Sequence, residues 1–124
     1  MTSPLKPGGK RGLARIVAAT RYSFLGLRAA IRYEEAFRQE LAFAAGLAFA
    51  AIILARSPLE FVVLMTPVVL MLVVEPLNSA IVDRVAAEHH ELSGRAKDMG
   101  SAAVFLTVLF TAVVWTVFLI DLIR

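Results

Sequence analysis

The chain has 124 residues, 59% of them hydrophobic, with a formal net charge of +3 and no cysteine. Its mean hydropathy of +0.75 lies well outside the habit of soluble domains and belongs to membrane proteins. The length allows one domain, and the lack of cysteine excludes disulfides, metal thiolates and thiol nucleophiles.

Residues 1–12, MTSPLKPGGKRG, are proline, glycine and base with no apolar period, which predicts a disordered tail near anionic headgroups. The GGK within it is not a phosphate loop, because that pattern needs glycine where Pro4 stands. From Leu13 the period becomes helical. Leu13, Ile16, Phe24, Leu27 and Ile31 line one face, while Arg21, Arg28, Arg32 and Glu35 form a stripe roughly 90° away. The pattern predicts an amphipathic surface helix over 13–38, lying on the cytoplasmic leaflet with its arginines as an electrostatic anchor. Near its end, Glu34 and Glu35 are spaced either to hold a divalent cation through oxygen or to pair with Arg38 at i+4 and i+3. The first apolar run starts only at Leu41, behind many charges, which argues against a cleaved signal peptide.

Three uncharged runs come next, Leu41 to Ala55, Phe61 to Val74 and Met99 to Ile120, of 15, 14 and 22 residues. Only the third reaches the ~20 residues that cross a hydrocarbon core unaided. The first extends to a span over 39–56 by using the stems of charged side chains such as Arg56, which reach back to the interface. Its many small residues, among them Ala44, Gly46 and Ala51, let helices approach closely in lipid. After the turn RSPLE, the second run spans over 61–82 only if it continues through Glu75 and Asn78, and Pro67 and Pro76 should bend it. The third span covers 99–120. No strand-like alternation is visible, so the fold class is an all-α membrane protein with an interfacial helix and three transmembrane helices.

Between the second and third spans, residues 83–98 carry Asp83, Arg84, Glu88, Glu91, Arg95, Lys97, Asp98 and the pair His89 and His90. Most Lys and Arg lie before Leu41 or in this segment, so the positive-inside rule puts the N-terminus and 83–98 in the cytoplasm and RSPLE outside. Glu75 and Asn78, three apart, share a helix face where the second span emerges. A carboxylate there is placed to take a proton from a lipid hydroxyl, or else the pair simply snorkels from the helix end. Adjacent histidines diverge by about 100° on a helix and do not easily share a metal. Lys97 and Asp98 are placed either to hold phosphate and metal or merely to end the apolar span.

The strings LRAAIRYEEAFRQE (27–40), EPLNSAI (75–81) and EHHELSGRAKDMGSAAV (88–104) resemble the small integral-membrane diacylglycerol kinases of Gram-negative bacteria. The resemblance covers nearly everything after about Arg15. It implies a homotrimeric helical bundle in the bacterial inner membrane, transferring the γ-phosphate of MgATP to diacylglycerol at the cytoplasmic interface, with no nucleic acid partner. It implies Glu75 as the general base and Glu34 as a carboxylate binding Mg²⁺ on ATP. Arg15, Tyr22, Glu88, His89, His90, Lys97 and Asp98 match positions that cradle the nucleotide, with His89 replacing what is commonly an aromatic residue. Arg28, Glu40, Asn78, Ser101 and Trp115 fall at or beside positions that contact the lipid. The undecaprenol kinases of Gram-positive bacteria share the architecture and are the alternative of the same class.

One departure stands out. The family pattern reads E-x-x-N-S-A-I-E with an Asp four residues later, whereas here NSAI runs directly into VDR, so three residues including a second metal-binding Glu are absent. Val82 stands where that carboxylate belongs. Removing three residues shortens a helix by ~4.5 Å and turns every residue beyond the gap by about 60° relative to Glu75. The expected outcome is a catalytically weakened membrane homologue, unless Asp83 or Glu35 substitutes. Asp83 sits about 80° around an ideal helix from the Glu75 stripe. Small multidrug transporters also carry an intramembrane Glu, but they have four spans and no use for ELSGRAKDMGS.

Overall fold

The computed structural model describes residues 11–86 and 91–124, and every regular element among them is an α-helix. They are α1 (Gly12–Tyr33), α2 (Glu35–Leu54), α3 (Pro58–Val85) and α4 (Glu91–Ile123). The last three are each long and apolar enough to cross a bilayer, so the all-α multi-pass expectation is met. The basic tail at 1–10 and residues 87–90, which include Glu88, His89 and His90, lie outside the described residues.

Gly12 opens α1 with φ +57°, a backbone state that residues bearing a Cβ rarely adopt. The helix stops at Tyr33 rather than continuing to 38, because Glu34 is extended, at φ −113° and ψ 106°. A single residue therefore separates α1 from α2. Such a break exposes the last carbonyls of α1, and Arg38 covers them from α2: its Nη1 donates to the carbonyls of Ile31 at 2.9 Å and Arg32 at 3.1 Å. Arg38 thus bonds to the backbone across the break rather than forming an ion pair with Glu34 or Glu35.

At the turn between α2 and α3, Ser57 caps α3 by accepting from the Glu60 amide at 3.1 Å, with Pro58 at the first helical position. Arg56 bonds the Glu60 carboxylate at 2.7 Å and Asp121 of α4 at 2.8 Å, and its guanidinium lies 5.6 Å from the Phe118 ring centroid. Turn and C-terminus are thereby tied together. Just inside this clasp, Ala51, Leu64, Trp115 and Phe118 form a buried cluster joining α2, α3 and α4.

α3 packs mainly on α4 and less extensively on α2, while α1 meets α2 near the hinge. Pro67 is fully buried inside α3 and removes a backbone donor there. One turn before it, the Leu64 carbonyl accepts from Trp115 Nε1 at 3.1 Å, an interhelical bond to α3 backbone. Thr107 and Thr111, both buried, bond back to carbonyls of their own helix at 2.7 and 2.8 Å. The outer faces expose Phe49, Ile52, Val69 and Phe105, as lipid contact requires.

The polar stretch before the third span is not a loop throughout. α3 runs on to Val85, and α4 starts at Glu91, so the charges from Glu91 to Asp98 ride on helix. Arg95 pairs with Glu91 at 3.3 Å, the i,i+4 partner that helical geometry supplies.

Candidate active site

The C-terminal half of α3 carries Glu75 at 5% exposure. A buried carboxyl needs a partner, and one is present. Ser79, one turn on, donates from Oγ to Glu75 Oε2 at 3.3 Å. From α2, the Glu40 carboxyl comes close to Glu75. A carboxyl pair on facing helices suits accepting and holding a proton, which is general-base chemistry.

Two acceptors around this pair are left over. Glu40 Oε1 and Asn78 Oδ1 are buried and have no hydrogen-bond partner. Asn78 points at α4, where Gly100 receives it: a Cβ on Gly100 would lie 3.2 Å from Asn78 Cγ and closer still to its amide oxygen. Glycine at this position allows α4 to press against the amide. Beside that contact runs an apolar groove of about 420 Å³, lined by Val74, Leu77, Asn78, Ile81, Met99 and Gly100 among others. An acyl chain fits such a groove, with a buried acceptor at its wall.

A second opening lies between α1 and α3. It has a volume of about 700 Å³ and is lined by Gly26, Ala30 and Glu34 on one side and Pro76, Ser79 and Asp83 on the other. Small side chains on α1 leave the space. Ser79 belongs to both features, bonding Glu75 and lining this cleft.

The residues named from sequence fall into separate groups. Glu75, Glu40 and Asn78 gather around the C-terminal half of α3, and Glu34 lines the cleft beside it. Arg15, Tyr22 and Arg28 are exposed along α1, and Lys97, Asp98 and Ser101 are exposed on the first turns of α4. Trp115 is not gathered with them: it bonds the carbonyl of Leu64, which precedes Glu75 on α3 by roughly 16 Å of helix. Ser79 and Gly100 were not singled out. The i+4 spacing of Ser79 from Glu75 could have marked it, whereas nothing local marks Gly100.

Among the described residues no three His, Cys, Asp or Glu side chains gather into a metal cage. Glu34, at the end of α1, and Asp83, on α3, do line one cleft. That donor set suits Mg²⁺, which is usually held by one or two carboxylates together with substrate phosphates.

A buried carboxyl with a second beside it, an apolar groove and an acidic cleft suit a membrane enzyme that brings a lipid to a polar co-substrate. The sequence profile of the family described as prokaryotic diacylglycerol kinase matches residues 21–119. The diacylglycerol kinase of Escherichia coli strain K12 is 46% identical over 111 residues, covering 87% of this chain and 91% of that protein. That of Pseudomonas aeruginosa is also 46% identical, over 121 residues covering 95% and 97%. That of Haemophilus influenzae is 41% identical over 107 residues, covering 84% and 91%. The chain belongs to the prokaryotic diacylglycerol kinase family. The general function of this family is ATP-dependent phosphorylation of a lipid, as the resemblance implied.

Proposed function

We propose that this chain phosphorylates diacylglycerol to phosphatidic acid with ATP, at the cytoplasmic face of the bacterial inner membrane, as a homotrimer with its N-terminus inside. The observation that carries the reading is the buried Glu75, backed by Ser79 and Glu40, between an apolar groove and an acidic cleft. Glu75 takes the proton of the lipid hydroxyl as its oxygen attacks the γ-phosphorus. The bond from that phosphorus to the β,γ-bridging oxygen breaks, and ADP leaves. Asn78 and Glu40 orient the glycerol end, and Arg28, Ser101 and Trp115 contact the rest of the lipid. Arg15, Tyr22, Lys97 and Asp98, with Glu88, His89 and His90 from the segment that precedes α4, receive the nucleotide. Mg²⁺ supplies charge neutralisation at the phosphates, and Glu34 is the first residue to hold it. Phosphoryl transfer asks for alignment and neutralisation more than covalent help from the protein, so these few groups suffice.

The test is ATP consumption by detergent-solubilised protein with diacylglycerol and, separately, undecaprenol in mixed micelles. Turnover dependent on diacylglycerol supports the reading. Turnover with undecaprenol alone reassigns the substrate, and none with either lipid refutes the kinase activity.

A further inference from the structure

The α1–α3 cleft contains a feature that the general reading leaves open. Its lining holds two carboxylates, Glu34 and Asp83, and no lysine or arginine. Neither side chain takes part in a hydrogen bond or ion pair among the described residues, whereas Glu60, Glu91 and Asp121 each pair with an arginine. Two carboxylates lining one opening whose walls carry no lysine or arginine favour a cation there. α3 stays helical through Pro76 as far as Val85, so Pro76, Ser79, Ala80 and Asp83 fall at i, i+3, i+4 and i+7 and line the same wall. Val82 follows Ile81 at the position where the resemblance leads one to look for a carboxylate, and offers no oxygen. Asp83, one residue on, lines the cleft instead. Glu35 opens α2 in an exposed position and does not line the opening. Ser79, which also lines the cleft, bonds Glu75, so a cation held there sits next to the base's own hydrogen-bond partner.

We propose that Asp83 is the second carboxylate of a divalent-cation site, holding with Glu34 the Mg²⁺ that accompanies the nucleotide, each from its own wall of the α1–α3 cleft. The proposal rests on the kinase reading for the identity of the nucleotide, but the cation site itself is measured without turnover.

The measurement is a Mn²⁺ titration of the full-length, detergent-solubilised chain with a non-hydrolysable ATP analogue present, reading free Mn²⁺ by electron paramagnetic resonance. The wild type should show one saturable Mn²⁺ per chain. Asp83→Asn and Glu34→Gln should each weaken it at least tenfold, since losing even an outer hydrogen bond to a ligand costs on the order of 10- to 100-fold. Glu35→Gln should bind like the wild type, and Asp83→Glu should keep the ion. Wild-type affinity in Asp83→Asn, or the loss appearing in Glu35→Gln, overturns the assignment. Mn²⁺ broadening of the ¹³C-labelled Asp83 carboxyl signal reads the same contact in the unsubstituted protein, and no broadening at saturation also overturns it. Lipid-dependent ATP turnover on the same preparations separates the two claims. An Asp83-dependent Mn²⁺ site in a wild type that phosphorylates no lipid refutes the kinase reading alone, whereas wild-type turnover with Mn²⁺ binding indifferent to Asp83 refutes this site alone.

Discussion

The two ends of the same three-helix bundle treat polar groups in opposite ways. At the end beside the α2–α3 turn, Arg56 holds Glu60 and Asp121, Ser57 caps α3, and Trp115 donates to the Leu64 carbonyl. At the opposite end a carboxyl is buried beside another carboxyl, Glu40 Oε1 and Asn78 Oδ1 have no hydrogen-bond partner among the described residues, and Glu34 and Asp83 line a cleft whose walls carry no lysine or arginine. A buried acceptor left unmatched costs about 1–3 kcal/mol, so a donor bound at this end would restore stability. One end keeps the helices together, and the other is arranged for what arrives.

The comparison breaks most visibly at Glu75. Glu75→Gln should lower lipid-dependent turnover by about 10²- to 10⁴-fold while leaving the melting temperature unchanged or slightly higher. If more than about a tenth of the activity survives, the Glu75 end has lost its claim to the chemistry. Next in size is Trp115→Ala, which empties the core beside the α2–α3 turn and should cost about 3–5 kcal/mol of stability, read by denaturant titration in micelles. Its KM for lipid at a temperature where it remains folded then decides its role. An unchanged KM confines Trp115 to the core, and a raised one places it on the lipid as the resemblance implied.

Gly100→Ala pushes a methyl into the Asn78 amide, an overpacking worth about 1–3 kcal/mol. Adding Asn78→Ala should restore the melting temperature but not the activity, which separates packing from function at one contact. A smaller change is expected from inserting Glu-Ala-Val between Ile81 and Val82. The insertion carries Asp83 away from its wall and sets a new Glu at i+7 from Glu75, about 20° off its stripe. Dependence on the metal ligand should pass to the inserted Glu, so that Asp83→Asn in that background no longer alters the Mg²⁺ requirement. An undiminished effect of Asp83→Asn there would place Asp83 elsewhere. Arg56→Ala should do least: its partners are exposed, so the loss in melting temperature should be small and should fade as salt is raised.

The range of each interaction decides how legible it was in the sequence. Charge-free runs and helical period depend on neighbours within a turn or two, so the three spans, the amphipathic α1 and the shared face of Glu75 and Asn78 were legible. The end of α1 was not. Apolar period continues past Tyr33, and only the crossing of Arg38 to the Ile31 and Arg32 carbonyls shows that a one-residue break at Glu34 is tolerated. The helical state of Glu91 to Asp98 was hidden because a run of charges looks like a loop until it is seen attached to a long apolar helix. The meeting of Glu40 with Glu75 and of Gly100 with Asn78 depends on how α2 and α4 pack on α3, which no local pattern encodes. Asp83 was read by its angle from Glu75, whereas its place in the cleft follows the wall it shares with Pro76 and Ser79.

The length of α4 has a consequence of its own. At 33 residues it measures roughly 50 Å, against a hydrocarbon core of about 30 Å, so its first turns stand clear of the lipid as a stiff post rooted in the same helix. Lys97 and Asp98 ride on that post, a few residues before Gly100 locks against Asn78. Their height above the acyl chains is therefore set by the pitch of one helix, and a protein with little mass outside the bilayer gains a fixed vertical scale between the water-borne reactant and the lipid-borne one.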